Sequence, residues 1–177
     1  MKKTNPKERI LQVAVKLFHE NGYNTTGINT IIEQAKVAKA SFYDHYKTKE
    51  DLAIAYLHYR HTFGFDGLKK SISKELTVEE QIYAAFQYII DMNLKENYIG
   101  CAFLNLLAEL PLRQGKLYDE IYAHKVALQH YFQNLIPNPS KAFLIYMLFE
   151  SCLTESQVYQ SNECVEKTIL FLKSEIL

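Results

Sequence analysis

Two short helical patterns separated by a tight turn constrain this chain more than any other feature of its sequence. The first pattern is an apolar stripe at helical spacing, formed by Ile28, Ile31, Ile32 and Ala35. It predicts a helix over about 27 to 35 that buries one face against a neighbour. A second short helix is predicted over about 39 to 45, with Lys36-Val37-Ala38 as the turn. Helices joined in this way form a helix-turn-helix, whose second helix can enter the major groove of DNA.

A third helix precedes this pair and completes a predicted three-helix head. Asn5 is placed to cap it, Pro6 occupies its first position, and the pair Asn21-Gly22 signals its end. Thr48, with Asp51 three residues later, forms a capping box that opens the next helix, and Thr77 with Glu80 repeats the pattern. Further helices are predicted over about 99 to 110, 114 to 135, 140 to 160 and 162 to 176.

The predicted fold class is therefore all-α, with about nine helices. Residues 1–47 would form the helix-turn-helix DNA-binding domain, and residues 48–177 a helical effector-binding and dimerisation domain.

The distribution of charge follows a similar division, although the formal net charge of the whole chain is zero. Residues 1–50 carry nine Lys or Arg against five Asp or Glu, while residues 51–177 carry eleven against fifteen. A basic head on an acidic body concentrates the attraction for phosphates at one end of the protein.

The segment from residue 22 to residue 52 resembles the TetR family of one-component bacterial repressors. The matching positions are Gly22-Tyr23, Thr25-Thr26, Ile31-Ile32, Ala35, Val37, Tyr43, His45-Tyr46, Thr48-Lys49-Glu50 and Leu52. One departure is Lys36, at the turn position that the family usually fills with Gly. A positive φ there would be costly for a residue other than Gly. The resemblance covers about residues 6 to 55.

The resemblance implies a DNA-contacting role for seven side chains of the head. Thr26 and Tyr43 would bond phosphates, and His45 and Lys49 would add positive or donor contacts. The residues that would face the base edges are Lys39, Ala40 and Ser41, of which Lys39 is the best candidate for a guanine contact. A purely structural role is the stronger interpretation for Tyr46 and the weaker one for Tyr43. For His45 the two interpretations are about equal.

A stripe of three polar residues lies in an otherwise apolar segment between residues 98 and 110. Cys101, Asn105 and Glu109 are spaced four residues apart, so a helix would hold them on one face. A buried carboxylate and amide need partners, which are either a ligand or backbone groups of the protein. In the family, similar Gly-Cys openings with a later Glu imply a position near the effector site.

The predicted effector-binding set combines this stripe with aromatic and apolar residues elsewhere. The chain has 13 Tyr and 10 Phe, which favours an aromatic-lined pocket, although most of these rings must belong to the core. The set is Tyr56, Phe63, Phe86, Cys101, Phe103, Asn105, Glu109, Tyr122 and Met147. The sequence does not choose among planar aromatic molecules, lipophilic cations and reactive electrophiles as the effector.

Two C-terminal helices are predicted to form a homodimer. An apolar seam recurs at helical spacing through Val165, Ile169, Leu172 and Ile176. The run Ala142 to Phe149 is apolar on every face and so needs cover on both sides. Two such helices from each subunit would form a four-helix interface, and a symmetric dimer would read a roughly palindromic operator.

No reactive constellation or cofactor motif is present, so an enzyme, a cofactor and a bound metal are not expected. His58 and His61 stand three residues apart without a further evident ligand, and the three cysteines lack the spacing of a zinc site. No apolar run is long enough for a membrane span, and no signal core follows Met1, which predicts a cytoplasmic protein.

These features together predict a one-component transcriptional regulator. It would repress from a palindromic double-stranded DNA operator and be released by a small-molecule effector whose binding shifts the helix that begins near residue 49. The alternative keeps DNA binding and makes Cys101 a thiol-based sensor of oxidants or electrophiles.

Overall fold

A computed structural model describes residues 5–72 and 76–176, with the side chains of residues 175 and 176 excepted. All regular structure in these ranges is helical, which confirms the predicted all-α class. The helices are α1 Pro6–Asn21, α2 Ile28–Ala35, α3 Lys39–His45, α4 Lys49–Arg60, α5 Gly67–Ser71, α6 Val78–Glu96, α7 Ala102–Glu109, α8 Lys116–Leu135, α9 Pro139–Tyr159 and α10 Glu163–Phe171. π-helical turns continue α4 over His61–Asp66 and α10 over Leu172–Ile176. Within the described residues, none of the helices has the length and apolar character needed to cross a membrane.

The predicted helix starts are confirmed by their capping hydrogen bonds. The Asn5 side chain accepts from the amide of Glu8 at 2.8 Å. In the capping box of α4, the Asp51 amide donates to the Thr48 hydroxyl at 3.0 Å, and the Thr48 amide donates back to the Asp51 carboxylate at 3.0 Å. Thr77 and Glu80 make the same reciprocal pair at the start of α6. These bonds satisfy amides that a helix leaves without internal partners.

By packing, the chain forms two compact units. The first comprises Met1–His61 and Ala102–Tyr122, and the second comprises Thr62–Cys101 and Ala123–Leu177. The first unit thus holds α1 to α4, α7 and the beginning of α8. The functional boundary predicted between residues 47 and 48 stays a prediction, because packing groups residues by contact and not by role.

The core of the first unit holds the helix-turn-helix in place. Helix α1 packs against α2, α3 and α4. The buried apolar side chains of these four helices are Ile10, Ala14, Leu17, Phe18, Ile31, Ala35, Phe42, Tyr46, Leu52, Ala53, Tyr56 and Leu57. Because they recur three or four residues apart within each helix, every helix presents one apolar stripe to the same centre.

The core of the second unit is built from α5, α6, α9, α10 and the C-terminal part of α8. Its aromatic centre consists of Phe86, Phe132 and Phe149, whose ring centroids lie 5.8 Å apart for Phe86–Phe149 and 5.2 Å apart for Phe132–Phe149. Such tilted and edge-to-face contacts are the favoured geometry for aromatic pairs.

Two helices begin later than the sequence predicts, each directly after a region of positive φ. The helix expected from residue 99 begins at Ala102, because Asn97, Tyr98 and Gly100 adopt φ of 56°, 56° and 78°. The helix expected from residue 114 begins at Lys116, after Gly115 with φ of 92°. The first of these corrections separates Cys101 from the stripe, since it leaves that cysteine outside α7 while Asn105 and Glu109 remain on one face of the helix.

Candidate nucleic-acid interface and effector site

The turn between α2 and α3 places Lys36 in the left-handed conformation, with φ of 53° and ψ of 50°. The position that the family usually fills with Gly thus keeps a conformation that is costly for Lys. The turn is closed by two backbone bonds, from the Lys36 amide to the Glu33 carbonyl at 3.1 Å and from the Val37 amide to the Ile32 carbonyl at 3.3 Å. These bonds terminate α2 and set the direction in which α3 leaves the turn.

Helix α3 divides into an anchored face and an exposed face. Phe42 is fully buried and Tyr46 is 4% exposed, so both belong to the core, as predicted for Tyr46. The exposed face carries Lys39, Ala40 and His45, together with Tyr43, whose side chain is 37% exposed. Ser41 is half-buried. Five of the seven predicted DNA-contacting residues therefore lie on one short helix that its apolar side holds rigidly.

The two other predicted DNA-contacting residues, Thr26 and Lys49, point into the loop between α1 and α2. The Thr26 hydroxyl is buried and donates to the Gly22 carbonyl at 2.7 Å. The Lys49 ammonium lies 4.4 Å from the centroid of the Tyr23 ring and 3.4 Å from the Asn24 carbonyl. Burial lowers the pKa of Lys49, against an opposing effect of the Glu109 carboxylate. Both residues organise this loop, and their contact with phosphates stays a prediction.

Two exposed cations beside α3 were not assigned to DNA by the sequence reasoning. Lys36 lies in the turn before the helix, and Lys47 follows it and donates to the Tyr43 carbonyl at 2.8 Å. The signal that points to them is the net positive charge of the first 50 residues, to which both contribute.

A cavity of about 190 Å³ lies within the first unit, between α1, α4 and α7. Its lining consists of Phe18, His19, Gly22, Tyr23, Tyr56, Ala102, Asn105, Leu106 and Glu109. Three residues of the predicted effector set, Tyr56, Asn105 and Glu109, thus line one cavity. Apolar and aromatic walls with a few convergent polar groups are the usual composition of small-molecule sites.

Glu109 bridges α7 and the loop that follows α1. Its Oε1 accepts from the Tyr23 amide at 2.8 Å, and its Oε2 accepts from the Asn24 amide at 2.6 Å. The Asn24 side-chain amide donates to the Glu109 backbone carbonyl at 2.8 Å. The sequence left open whether a ligand or backbone groups of the protein would bond this carboxylate, and in the structure backbone amides do so. Burial raises the pKa of the Tyr23 hydroxyl, and the carboxylates of Glu50 and Glu109 add to the effect.

Gly22 permits this close approach. Its φ is 88°, and a Cβ at this position would lie 2.8 Å from Glu109 Oε1, which is closer than real Cβ atoms come to an oxygen. The pair Gly22-Tyr23 of the family pattern thus has a local physical reason in this chain, because only Gly allows both the backbone conformation and the carboxylate contact.

The remaining residues of the predicted effector set do not line this cavity. Phe86 is fully buried in the second core, and Phe103 is 4% exposed on α7. Phe63 lies in the π-helical turn, with the Lys95 ammonium 4.6 Å from its ring centroid. The Tyr122 and Met147 side chains are 61% and 47% exposed. Their roles in effector binding stay predictions.

Cys101 belongs to a cluster in the second unit. The Lys125 ammonium lies 3.5 Å from Cys101 Sγ and 2.5 Å from Glu150 Oε2. Burial acts to lower the pKa of Lys125, but Cys101 and Glu150 outweigh it and the pKa is raised.

His58, considered above as a metal ligand, instead lies 2.9 Å from Glu120 Oε2. Among the residues described, no three or more His, Cys, Asp or Glu side chains are grouped so as to hold a metal ion.

The C-terminal helices leave an apolar surface exposed. On α9, Ala142, Ile145 and Phe149 enter the core, while the intervening residues Phe143, Leu144 and Met147 are 55%, 39% and 47% exposed. The seam predicted on α10 differs, because Val165 and Leu172 are fully buried in the core of their own unit. The exposed apolar residues of that helix are Leu170 and Phe171. The side chain of Ile176, the last residue of the predicted seam, lies outside the described part.

The geometry of the first unit is that of a helix-turn-helix protein, and comparisons with known proteins show which family this region is similar to. The family described as bacterial regulatory proteins, tetR family, matches residues 10–56. Two curated relatives each match nearly half of the chain. The HTH-type transcriptional regulator YuxN of Bacillus subtilis is 31% identical over 97 residues, which is 49% of this chain and 33% of YuxN. The HTH-type transcriptional regulator QacR of Staphylococcus aureus is 37% identical over 79 residues, which is 45% of this chain and 42% of QacR.

The structural similarity covers more of the chain than the family match over residues 10–56. The crystal structure of SCO4454, a TetR-family transcriptional regulator from Streptomyces coelicolor, superposes with a TM-score of 0.85 at 24% identity, covering 94% of this chain and 85% of that one. The tetR family model therefore matches the helix-turn-helix head, and the fold of the chain is that of a TetR-family structure. It spans a third to about two fifths of the length of the two curated relatives described above.

Proposed function

We propose that this protein is a cytoplasmic transcriptional regulator that binds a palindromic DNA operator as a homodimer. It acts as a repressor, and a small-molecule effector releases it. It is a binding protein and not an enzyme. The observation that carries the proposal is the exposed polar face of α3, on which Lys39, Tyr43 and His45 project from a helix anchored by the buried Phe42 and Tyr46.

The chemistry of this face suits a DNA groove. A cation near the start of α3 can bond the acceptor atoms of guanine, while a phenol further along can donate to a phosphate. The surrounding head carries an excess of positive charge, which provides the attraction to DNA that does not depend on sequence. A helix whose buried side fits a core and whose outer side carries only polar or small residues is suited to binding outside the protein.

Dimerisation is supported by the exposed apolar residues of α9 and α10. Phe143, Met147 and Phe171 are large side chains with 44% to 55% of their surface open to water. Burying such residues against a second copy of the same surface removes apolar area from water without any further partner. A two-fold dimer would present two α3 helices to successive major grooves, which explains a palindromic site.

A thiol sensor based on Cys101 is the alternative mode of regulation, and the findings do not favour it. Its Sγ lies beside the Lys125 ammonium, which forms an ion pair with Glu150. These contacts are explained by a partly buried polar cluster of the second unit.

The first experiment is selection of genomic duplex fragments by the purified protein at physiological salt, followed by titration of the selected site. Lys39→Ala and Tyr43→Phe are compared with Lys70→Ala, which removes the same charge from an exposed residue outside the head. We expect Lys39→Ala to lose about 1 to 3 kcal/mol of binding free energy. Lys70→Ala should change it by less than about 0.5 kcal/mol. Unchanged affinity in both α3 variants would exclude this helix as the recognition helix.

A further inference from the structure

We propose that the cavity of the first unit binds a small ring-shaped ligand with N–H donors, an aryl amidine or ring-borne ammonium above others. We further propose that this ligand competes with the loop after α1 for the Glu109 carboxylate. The inference rests on the proposed function, since it assigns the ligand class and the site of regulation. The observation that supports it most directly is that Glu109 both lines the cavity and accepts hydrogen bonds from the amides of Tyr23 and Asn24.

The cavity has the size for a single substituted ring. It measures about 190 Å³, and an apolar protein cavity of about 150 Å³ is sufficient to hold benzene. The additional volume accommodates one short polar substituent on such a ring. A ligand of several fused rings would exceed this space.

The walls favour an aromatic ligand and, in particular, a cationic one. The rings of Phe18, Tyr23 and Tyr56 line the cavity. The Phe18 ring lies edge-on to each of the other two at a centroid distance of 5.6 Å, with interplanar angles of 63° to Tyr23 and 75° to Tyr56. Aromatic faces carry negative potential, so they attract organic cations as well as other rings. Leu106 and Ala102 of α7 add an apolar lining.

Among the polar side chains of the cavity other than the tyrosines, which are those of Glu109, Asn105 and His19, the Glu109 carboxylate selects for donors. A carboxylate is an acceptor only, with about two acceptor sites on each oxygen. Each oxygen of Glu109 accepts one hydrogen bond from the backbone of the loop. A cationic donor in the cavity that bonds the same oxygens weakens the bonds from the loop, so ligand and loop compete for this carboxylate. The Asn105 side-chain amide lies one helical turn away on the same face of α7. A carboxylate in this position repels an anionic ligand.

Occupancy of the cavity would be communicated through Glu109 to the loop after α1, which leads into the helix-turn-helix. Glu109 accepts hydrogen bonds from the amides of Tyr23 and Asn24. These two residues come directly before Thr25, Thr26 and the start of α2. A ligand donor that draws the carboxylate away weakens these bonds and loosens the loop. The ligand therefore binds one conformation of the head more tightly than the other, which is the requirement for any effector.

The test uses three ring probes of matched shape: benzamidine, which is protonated at neutral pH, benzamide, which is neutral, and benzoate, which is anionic. Binding to the full-length protein is measured by titration calorimetry and by ligand-observed NMR. Glu109→Gln keeps the shape of the side chain and removes its charge, while Ala102→Leu fills part of the cavity. Glu120→Gln makes the same chemical change in the same unit, on a residue that does not line the cavity.

We expect saturable binding with one probe per chain, in the order benzamidine, benzamide, benzoate. Glu109→Gln should weaken benzamidine at least tenfold and benzamide less, and Glu120→Gln should match the wild type. Ala102→Leu should weaken all probes. Benzoate binding as tight as benzamidine, or benzamidine binding that Glu109→Gln leaves unchanged, overturns the assignment of ligand class and site. If Ala102→Leu does not fold, the comparison of Glu109→Gln with Glu120→Gln decides alone.

Titration of the selected operator with the same proteins separates this inference from the proposed function. Operator binding without probe binding overturns the cavity site and leaves the regulator intact. Probe binding without operator binding overturns the regulator and leaves the site. We expect saturating benzamidine to weaken operator binding of the wild type at least fivefold, and an unchanged affinity overturns the coupling through Glu109.

Discussion

Replacing Lys36 with Gly should stabilise the head, because Lys36 occupies a left-handed conformation that glycine adopts without strain. Its φ of 53° and ψ of 50° lie at the centre of that region. The left-handed conformation costs an L-residue roughly 1 to 2 kcal/mol. Glycine avoids this cost but adds freedom to the unfolded chain, which offsets roughly 0.4 to 1 kcal/mol. The expected net gain is about 0.5 to 1 kcal/mol in the free energy of unfolding.

The appropriate control is Lys36→Ala, which removes the same charge and side chain but keeps the strained backbone. The bonds that close the turn involve only backbone atoms of residue 36 and its neighbours, so both variants retain them. For a chain of this length, the expected gain corresponds to a rise in the midpoint of thermal unfolding of about 1 to 4 °C relative to Lys36→Ala. Hydrogen exchange of the α2 and α3 amides would localise the effect to the head.

A Lys36→Gly protein that is no more stable than Lys36→Ala would refute the reasoning. It would mean that the turn adopts another conformation in solution or that the left-handed position is not strained. Operator affinity provides a second control, since both variants lose the same positive charge and should bind equally.

Three other outcomes follow from individual contacts. Thr26→Val should destabilise the protein by about 1 kcal/mol in urea denaturation because it removes the buried bond to Gly22; loss of operator binding without loss of stability would instead assign the hydroxyl to a phosphate. Thr48→Ala should cost about 1 kcal/mol and Thr48→Ser almost nothing, since only a hydroxyl accepts from the Asp51 amide. Burial raises the pKa of Cys152 from 9.0 to about 11, so its contribution to stability is present below pH 9 and is lost as the pH rises towards 11. The urea midpoint of Cys152→Ala should therefore fall less over that range than the wild-type midpoint, and an equal fall would contradict the raised pKa.

The local features of the fold were predictable because each depends on residues only a few positions apart. The capping boxes at Thr48 and Thr77 place a hydroxyl three residues before a carboxylate, and both form as expected. The turn at Lys36 was predicted from its place between two apolar patterns, whereas its left-handed conformation was raised only by the resemblance, because the family usually has Gly there. The late start of α7 was missed because Asn97 and Tyr98 adopt positive φ, as Gly100 does, without being glycines. For residues other than Gly, the identity of the side chain is only a weak predictor of a positive φ.

The candidate site was predictable only in part, because its partners are distant in sequence. Periodicity placed Asn105 and Glu109 on one face of a helix, and the structure brings both to a cavity with Tyr56. It could not indicate that Glu109 accepts from amides 85 and 86 positions earlier in the chain. Nor could it indicate that Phe86 lies in a separate core, since an apolar aromatic suits a cavity wall and a core equally well.

The sequence by itself determined the all-helical class, the helix-turn-helix and the resemblance of the head to a known family, because these follow from periodicity, caps and a dense local pattern. Tertiary structure alone decided where individual side chains are used. It turned the Thr26 hydroxyl and the Lys49 ammonium into the loop after α1, and it buried Val165 and Leu172 in the core instead of an outward seam. The physical reason is that a pattern fixes which residues share a face of a helix, whereas the neighbour that the face meets depends on how distant segments pack.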